Sequence, residues 1–495
     1  MSFLSRRLRD RFLPFLFIAV ATFAMLVTLS WPKPAQAIEA KPYEELVFPP
    51  LGDIQIPDYE RYELENGLVV YLMEDHDLPL ISGSATFRTG GYLVSGDQAG
   101  LASITGQAMR LGGTQNHSPD ELNEMLEQRA ASVETSIGTT SGSASFSTLT
   151  EDLDDVFGLF ADVITQPAFD EEMVALIEGR TAGGIARRND DPDDIASREF
   201  NKLIYGDQSP YARTVEYANL DNISRDDVVD FYERSLAPEH TILGIVGDFN
   251  PATMKALIDS KLGEWECIHD GDMPAPPEGT QQNAGVFVVD QPQLTQSTIH
   301  VGHIGGELSS PYHAPMAVLN EVLNGFGGRL FNEIRSRQGL AYSVYAFWSP
   351  RYDYNGRFIG GGQTRSEATV PFIQSMYNEL EKVRQEPITE TELAFAKDSV
   401  LNSFVFNFQT PNQTLSRLIR YEYYGYPNDF VFQFRDGVES ATAEDVLAAA
   451  QAVLDPNKLI TIVVGNQAEI TPGLETLGSE VQPLDVTIPA PTASL

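Results

Sequence analysis

Residues 228–250 read VVDFYERSLAPEHTILGIVGDFN, and residues 446–468 read VLAAAQAVLDPNKLITIVVGNQA. Each is a helical run, a proline turn (Pro238, Pro456), and an apolar strand closing on Val246-Gly247 or Val464-Gly465. Two copies of such a unit, each of roughly 200 residues, point to a duplicated domain rather than a short-period array. A chain of 495 residues is too long for one ordinary core, which agrees. Strand and helix signals alternate irregularly with several hairpin turns. The expected class is therefore α+β with antiparallel sheets, not a doubly wound parallel sheet.

The boundaries follow from composition. Arg6, Arg7, Arg9 and Arg11 precede an apolar run from Phe12 to Leu29, and Ala35 and Ala37 are placed as in an A-x-A cleavage site. Residues 1–37 thus read as a signal peptide, and the protein as exported to a periplasm or equivalent lumen. If uncleaved, the same run would be a membrane anchor. Residues 38–60 form a Pro-rich extended lead-in. A first domain spans 61–266, opening with a turn at Asn66-Gly67 between strand-like runs. CIHDGDMPAPPEGTQQNAG, residues 267–285, is a linker, residues 286–471 a second domain, and the Pro-, Thr- and Ser-rich 472–495 a flexible tail.

Charge and cysteine content narrow the chemistry. A formal charge of −37 excludes nucleic acid as a natural partner, since phosphate binding needs a basic surface. Cys267 is the one cysteine, so neither an internal disulfide nor a thiolate zinc site is available. Of the seven histidines, only His300 and His303 are close in sequence. They lie in a strand-like run, where residues three apart face opposite sides, so they are not a shared ligand pair.

Several segments carry a resemblance. NEVLNGFGGRLFNEIRSRQGLAYSVYAFW (320–348), GLASITGQAMRLGGT (100–114), ITQPAFDEEM (164–173) and the long run 205–250 are similar, in order, to the pitrilysin/insulinase-type zinc metallopeptidases. These include the mitochondrial processing peptidases and their bacterial relatives. The resemblance implies two homologous α+β domains, each an antiparallel sheet covered by helices. Pairs of such chains close around a chamber that admits extended peptides.

Active members carry His-x-x-Glu-His on one helix: two imidazoles on one face grip zinc, and the glutamate is the base for water. Here the histidine positions hold Ser103 and Gln107, and the base position holds Gly106. A later glutamate ligand would fall at Gly183 or Gly184. A hydroxyl, an amide and glycines are no zinc site, so no metal and no catalytic residue is expected on this chain. Zinc is expected in a homologous partner subunit with an intact motif.

The second domain keeps more. Arg335 and Tyr342 match the arginine–tyrosine pair that the family places opposite the metal, where the resemblance implies a grip on the substrate backbone and oxyanion support. Arg335 falls near the end of the helix LFNEIRSR, Gly339 ends it, and Tyr342 opens a strand. Gly325, Gly327 and Gly328 resemble the glycine-rich loop that positions peptide. Residues 131–149 resemble strands bordering the substrate channel, whose edge could pair with a peptide; an ordinary internal hairpin is the other reading. The implied function is a non-catalytic, substrate-binding subunit of a heteromeric zinc peptidase, inactive alone. A peptide-binding or structural scaffold without proteolysis is the alternative.

Overall fold

The Asn66-Gly67 turn folds as its residues dictate. Gly67 takes φ +85°, where a side chain is disfavoured, and joins β1 (Glu60–Glu63) to an antiparallel β2 (Val69–Glu74). In this computed structural model the described residues are 54, 56–266, 273–281, 283–325 and 327–491. The expected signal segment, most of the lead-in, and Cys267 lie outside them. Residues from Ile54 onward form one unit by internal contacts.

That unit holds two six-stranded sheets. The first adds β3 (Leu80–Phe87), β4 (Ser132–Ile137), β5 (Gly142–Leu149) and β6 (Thr241–Gly247), in the order β1-β2-β6-β3-β5-β4. The second comprises β7 (Gly285–Asp290), β8 (Gln296–Ile304), β9 (Ala341–Ser349), β10 (Arg357–Arg365), β11 (Ile460–Gly465) and β12 (Val481–Pro483), in the order β12-β7-β11-β8-β10-β9. Five strands of each sheet share one topology, with β2, β6, β3, β5 and β4 matching β7, β11, β8, β10 and β9. The duplication legible at 228–250 and 446–468 is therefore a duplication of topology.

The class is α+β, but the sheets are mixed rather than purely antiparallel. β2 and β6 run parallel, as do β7 and β11, and β12 and β7. In each half the first and last core strands lie side by side, and the whole intervening segment serves as their crossover. The tail also differs from expectation. Residues 481–483 form the edge strand β12, and Leu474 is buried.

Each sheet is covered on one face by helices of its own half. The other face is covered by a helix from the opposite half. Helix Pro192–Tyr205 lays Ile195, Phe200 and Ile204 against Phe287, Ile462 and Val464 of the second sheet. Helix Pro411–Tyr424 lays Leu415, Leu418 and Ile419 against Tyr71, Met73 and Val246 of the first. This explains why β2, β6 and β11 are apolar almost continuously: they are buried on both faces. Gly244 makes room for the exchange, because a Cβ there would sit 2.2 Å from Ile419 Cδ1.

Candidate functional site

The helix Leu101–Leu111 runs along β4, the edge strand of the first sheet. Its apolar stripe packs inward as the spacing requires: Leu101, Ile104 and Ala108 are buried. On the stripe where ligands would stand, Ser103 is exposed, and the Gln107 amide donates to its hydroxyl at 3.4 Å and its carbonyl at 3.3 Å. The two positions matched to the family's histidines are tied to each other.

Gly106 is the more decisive position. A Cβ on it would lie 2.2 Å from the Ile137 backbone nitrogen and 2.8 Å from the Ser136 carbonyl carbon. Thr135 also donates its hydroxyl to the Gly106 carbonyl at 2.6 Å. Helix and strand have closed onto one another where a catalytic base would stand, so a glutamate side chain has no room. Gly183 and Gly184, by contrast, have nothing within 4 Å of a built Cβ. That space is open but carries no ligand. Among the described residues, no three His, Cys, Asp or Glu side chains gather to hold a metal. Zinc of the family type does not fit the residues present.

His300 and His303 point to opposite faces of β8. His300 meets Asp193 at 3.3 Å and the ring of Phe200, on the face covered by the exchanged helix. His303 uses both ring nitrogens, one against the Ile304 carbonyl at 2.5 Å and one accepting the Asp455 N–H at 3.2 Å. Burial lowers the pKa of both, with Asp193 partly opposing the shift at His300.

On the second half, helix His313–Asn324 ends at Gly325, and the chain turns through the glycine-rich loop. Gly327 takes φ +100°, and a Cβ on Gly328 would lie 2.8 Å from the Gly325 backbone. The loop is anchored on its far side by Arg329, which forks onto Glu392 at 2.7 and 3.0 Å. Those bonds, with the Thr389 N–H, hold the Glu392 carboxyl down at about 2. A π-helical turn, Phe331–Arg337, then carries Arg335; Gly339 at φ +63° ends it and β9 begins at Ala341. The Arg335 guanidinium lies 4.8 Å from the Phe331 ring centroid and 4.7 Å from that of Tyr342. Tyr342 is 83% exposed. Among the described residues no carboxylate pairs with Arg335, so the stacked guanidinium can still donate from its N–H groups.

Asn320 and Asn324 were not singled out by motif, yet they decide which part of β9 is accessible. The Asn320 amide gives and takes a hydrogen bond with Trp348 (3.0 and 2.9 Å), and Asn324 does the same with Ala346 (2.6 and 2.8 Å). Two amides at i and i+4 thus imitate a neighbouring strand along the outer edge of β9. The signal was in the quoted segment itself: asparagines four apart, on one helical face, before a glycine turn. In the first half the corresponding edge is held by Arg110, whose Nε donates to the Val133 carbonyl at 2.8 Å. β4 is accordingly an edge strand, partly covered, while β5 is internal.

This geometry defines a duplicated α+β fold in which, among the described residues, the helix Leu101–Leu111 takes part in no metal-ligand cluster. Residues 222–400 match a family model described as "Peptidase M16 inactive domain". A Bacillus subtilis protein named "Uncharacterized zinc protease YmxG" is 22% identical over 362 residues, covering 72% of this chain and 86% of its own. A Helicobacter pylori protein named "Non-peptidase homolog YmxG" is 21% identical over 406 residues, covering 80% and 91%. Among solved structures, the peptidase M16 inactive domain from Pseudomonas fluorescens superposes with a TM-score of 0.74 at 22% identity, covering 82% of this chain and 98% of that one. The periplasmic protease PqqL from Escherichia coli gives 0.69 at 16%, covering 87% of this chain and 49% of that one. The motif resemblance holds: this chain is a relative of the M16 metallopeptidases, and its fold is theirs.

Proposed function

We propose that this chain is the non-catalytic, substrate-binding subunit of an exported, heteromeric M16-type zinc peptidase. A homologous partner with an intact His-x-x-Glu-His supplies zinc and base. This chain supplies half of the chamber and, from its second half, Arg335 and Tyr342 with the loop of Gly325, Gly327 and Gly328. The observation that carries the reading is an asymmetry. The base position, Gly106, is closed by β4, whereas the guanidinium of Arg335 is stacked at 4.7 Å on an 83% exposed tyrosine with its donors unspent. A wall that can hold peptide carbonyls, without hydrolytic chemistry behind it, suits a subunit that binds and positions. Export rests on the signal pattern of residues 1–37, and the periplasmic protease among the structural neighbours agrees with it. Among the described residues no helix is long and apolar enough to cross a membrane.

The test is reconstitution. Peptide cleavage is measured for this chain alone, for a metal-competent homologue from the same genome alone, and for the pair. The expected result is zinc-dependent cleavage that requires both, reduced roughly 10²–10³-fold in kcat by Arg335→Ala, and less by Tyr342→Phe, with assembly intact. Unchanged cleavage in both variants would favour the scaffold alternative. Chelator-sensitive cleavage by this chain alone would overturn the proposal.

A further inference from the structure

A cavity of about 320 Å³ lies where the two halves meet, and neither Arg335 nor Tyr342 lines it. It is built from the end of β3, the β4–β5 turn, the β9–β10 loop, the end of helix Pro411–Tyr424 and the strap Met273–Pro276. Its volume is near the lower limit for small-molecule sites, about 300–1,000 Å³, so it suits a compact molecule. Its walls are fixed. Tyr423 and Tyr424 meet at 79° with ring centroids 4.6 Å apart, and the Tyr423 hydroxyl donates to the carbonyls of Phe87 and Thr140, 3.2 and 2.9 Å away. The β9–β10 loop is clamped on both sides of Asp353, because Tyr352 stacks on Tyr424 at 4.6 Å and Tyr354 on Tyr211 at 3.9 Å. The Tyr211 hydroxyl donates to the Pro277 carbonyl and so holds the strap as well.

Two opposite charges line this space. Arg88 is exposed, and its guanidinium rests 4.9 Å from the Tyr423 ring centroid. Glu422, which feels the Arg88 charge, is taken up by Arg61 and the Tyr71 hydroxyl. Asp353 is half-buried; burial raises its carboxyl pKa, and a hydrogen bond from Thr140 partly opposes the shift. Among the described residues neither Arg88 nor Asp353 forms an ion pair, with the other or with a third group. The other polar groups are mostly engaged: Tyr424 with Thr140 and Ser141, Thr140 with Asp353, while Tyr92 adds a third ring. An unpaired guanidinium takes a carboxylate through parallel bonds, and a carboxylate among tyrosine rings takes an ammonium. A ligand with one charge would satisfy one group and meet like charge at the other.

We propose that this cavity binds a zwitterionic α-amino acid with an apolar side chain, its carboxylate on Arg88, its ammonium on Asp353 and its side chain against Met273 and Pro274 of the strap. The site shares no residue with the peptidase-like wall, so its fate does not depend on the peptidase reading.

The probe is L-phenylalanine, titrated calorimetrically into the full chain. Phenethylamine, which lacks the carboxylate, and 3-phenylpropanoate, which lacks the ammonium, are the controls. Phenylalanine is expected to bind at one site, and each control about tenfold or more weaker. Arg88→Gln should weaken phenylalanine by a similar factor without weakening phenethylamine. Asp353→Asn should weaken phenylalanine likewise without weakening 3-phenylpropanoate. Near-ultraviolet circular dichroism checks the fold of both variants, and the three-ligand comparison on the unaltered chain needs neither. No binding of phenylalanine, a control that binds as tightly, or a folded variant that binds phenylalanine like the wild type would each overturn the proposal.

Discussion

Glycines inside helices are ordinarily liabilities, and replacing one with alanine gains roughly 0.5–1 kcal/mol. Gly106 stands where the family's base would fall, and Gly183 or Gly184 where its later ligand would, yet their surroundings differ. At Gly106 a methyl would enter the backbone of Ser136 and Ile137, so helix and strand must separate. Gly106→Ala is therefore expected to destabilise by about 1–3 kcal/mol, reversing the usual sign. Gly183→Ala and Gly184→Ala meet nothing within 4 Å and should each stabilise by about 0.5–1 kcal/mol. Urea denaturation midpoints of the three variants check this, and a stabilised Gly106→Ala would show that the helix is not pinned to β4. On the proposed reading, histidines at 103 and 107 would not by themselves make a hydrolytic site, because packing against β4 closes position 106 to a glutamate side chain.

At the scale of elements, local chemistry was legible and partnership was not. Asn66-Gly67 announced its turn, Gly339 announced the end of the segment bearing Arg335, and Tyr342 announced β9, each through a residue whose backbone preference is its own. The tail misled, because its Pro, Thr and Ser content outweighed a weaker signal: Leu484, Val486 and Ile488 alternate, and all three pack against core residues. The edge latch by Asn320 and Asn324 escaped because a motif shows residue types, while a latch needs the strand that it meets. Its consequence is specific. Asn320→Ala with Asn324→Ala removes the four hydrogen bonds to β9 and opens its Ala346–Trp348 edge to pairing with another chain. A loss of about 1–3 kcal/mol is expected, with self-association beyond the wild type's in sedimentation velocity. Wild-type stability and wild-type sedimentation in the double variant would remove the latch from the account.

Across the whole molecule, duplication alone would let each half fold alone, since each has the same five-strand core and its own layer of helices. The exchanged helices forbid that. Without helix Pro411–Tyr424, the first sheet would expose Tyr71, Met73, Ile242 and Val246; without helix Pro192–Tyr205, the second would expose Phe287, Val289, Ile460 and Ile462. Uncovering four such side chains costs about 6–12 kcal/mol, at roughly 1.5–3 kcal/mol each, which is comparable with a domain's whole margin of stability of about 5–15 kcal/mol. No periodicity in the sequence could reveal this, because an apolar stripe reports that a helix is buried and not against which sheet. The two halves should therefore behave as one cooperative unit joined by a dispensable connection. Fragments covering 54–266 and 273–491, expressed separately, are expected to aggregate or to lack a cooperative thermal transition. Co-expressed, they should assemble one-to-one and unfold in a single transition near that of the intact chain, lowered by the entropy of the cut link. A 54–266 fragment melting cooperatively by itself at the intact chain's temperature would mean that the exchanged helices decorate the sheets rather than complete them.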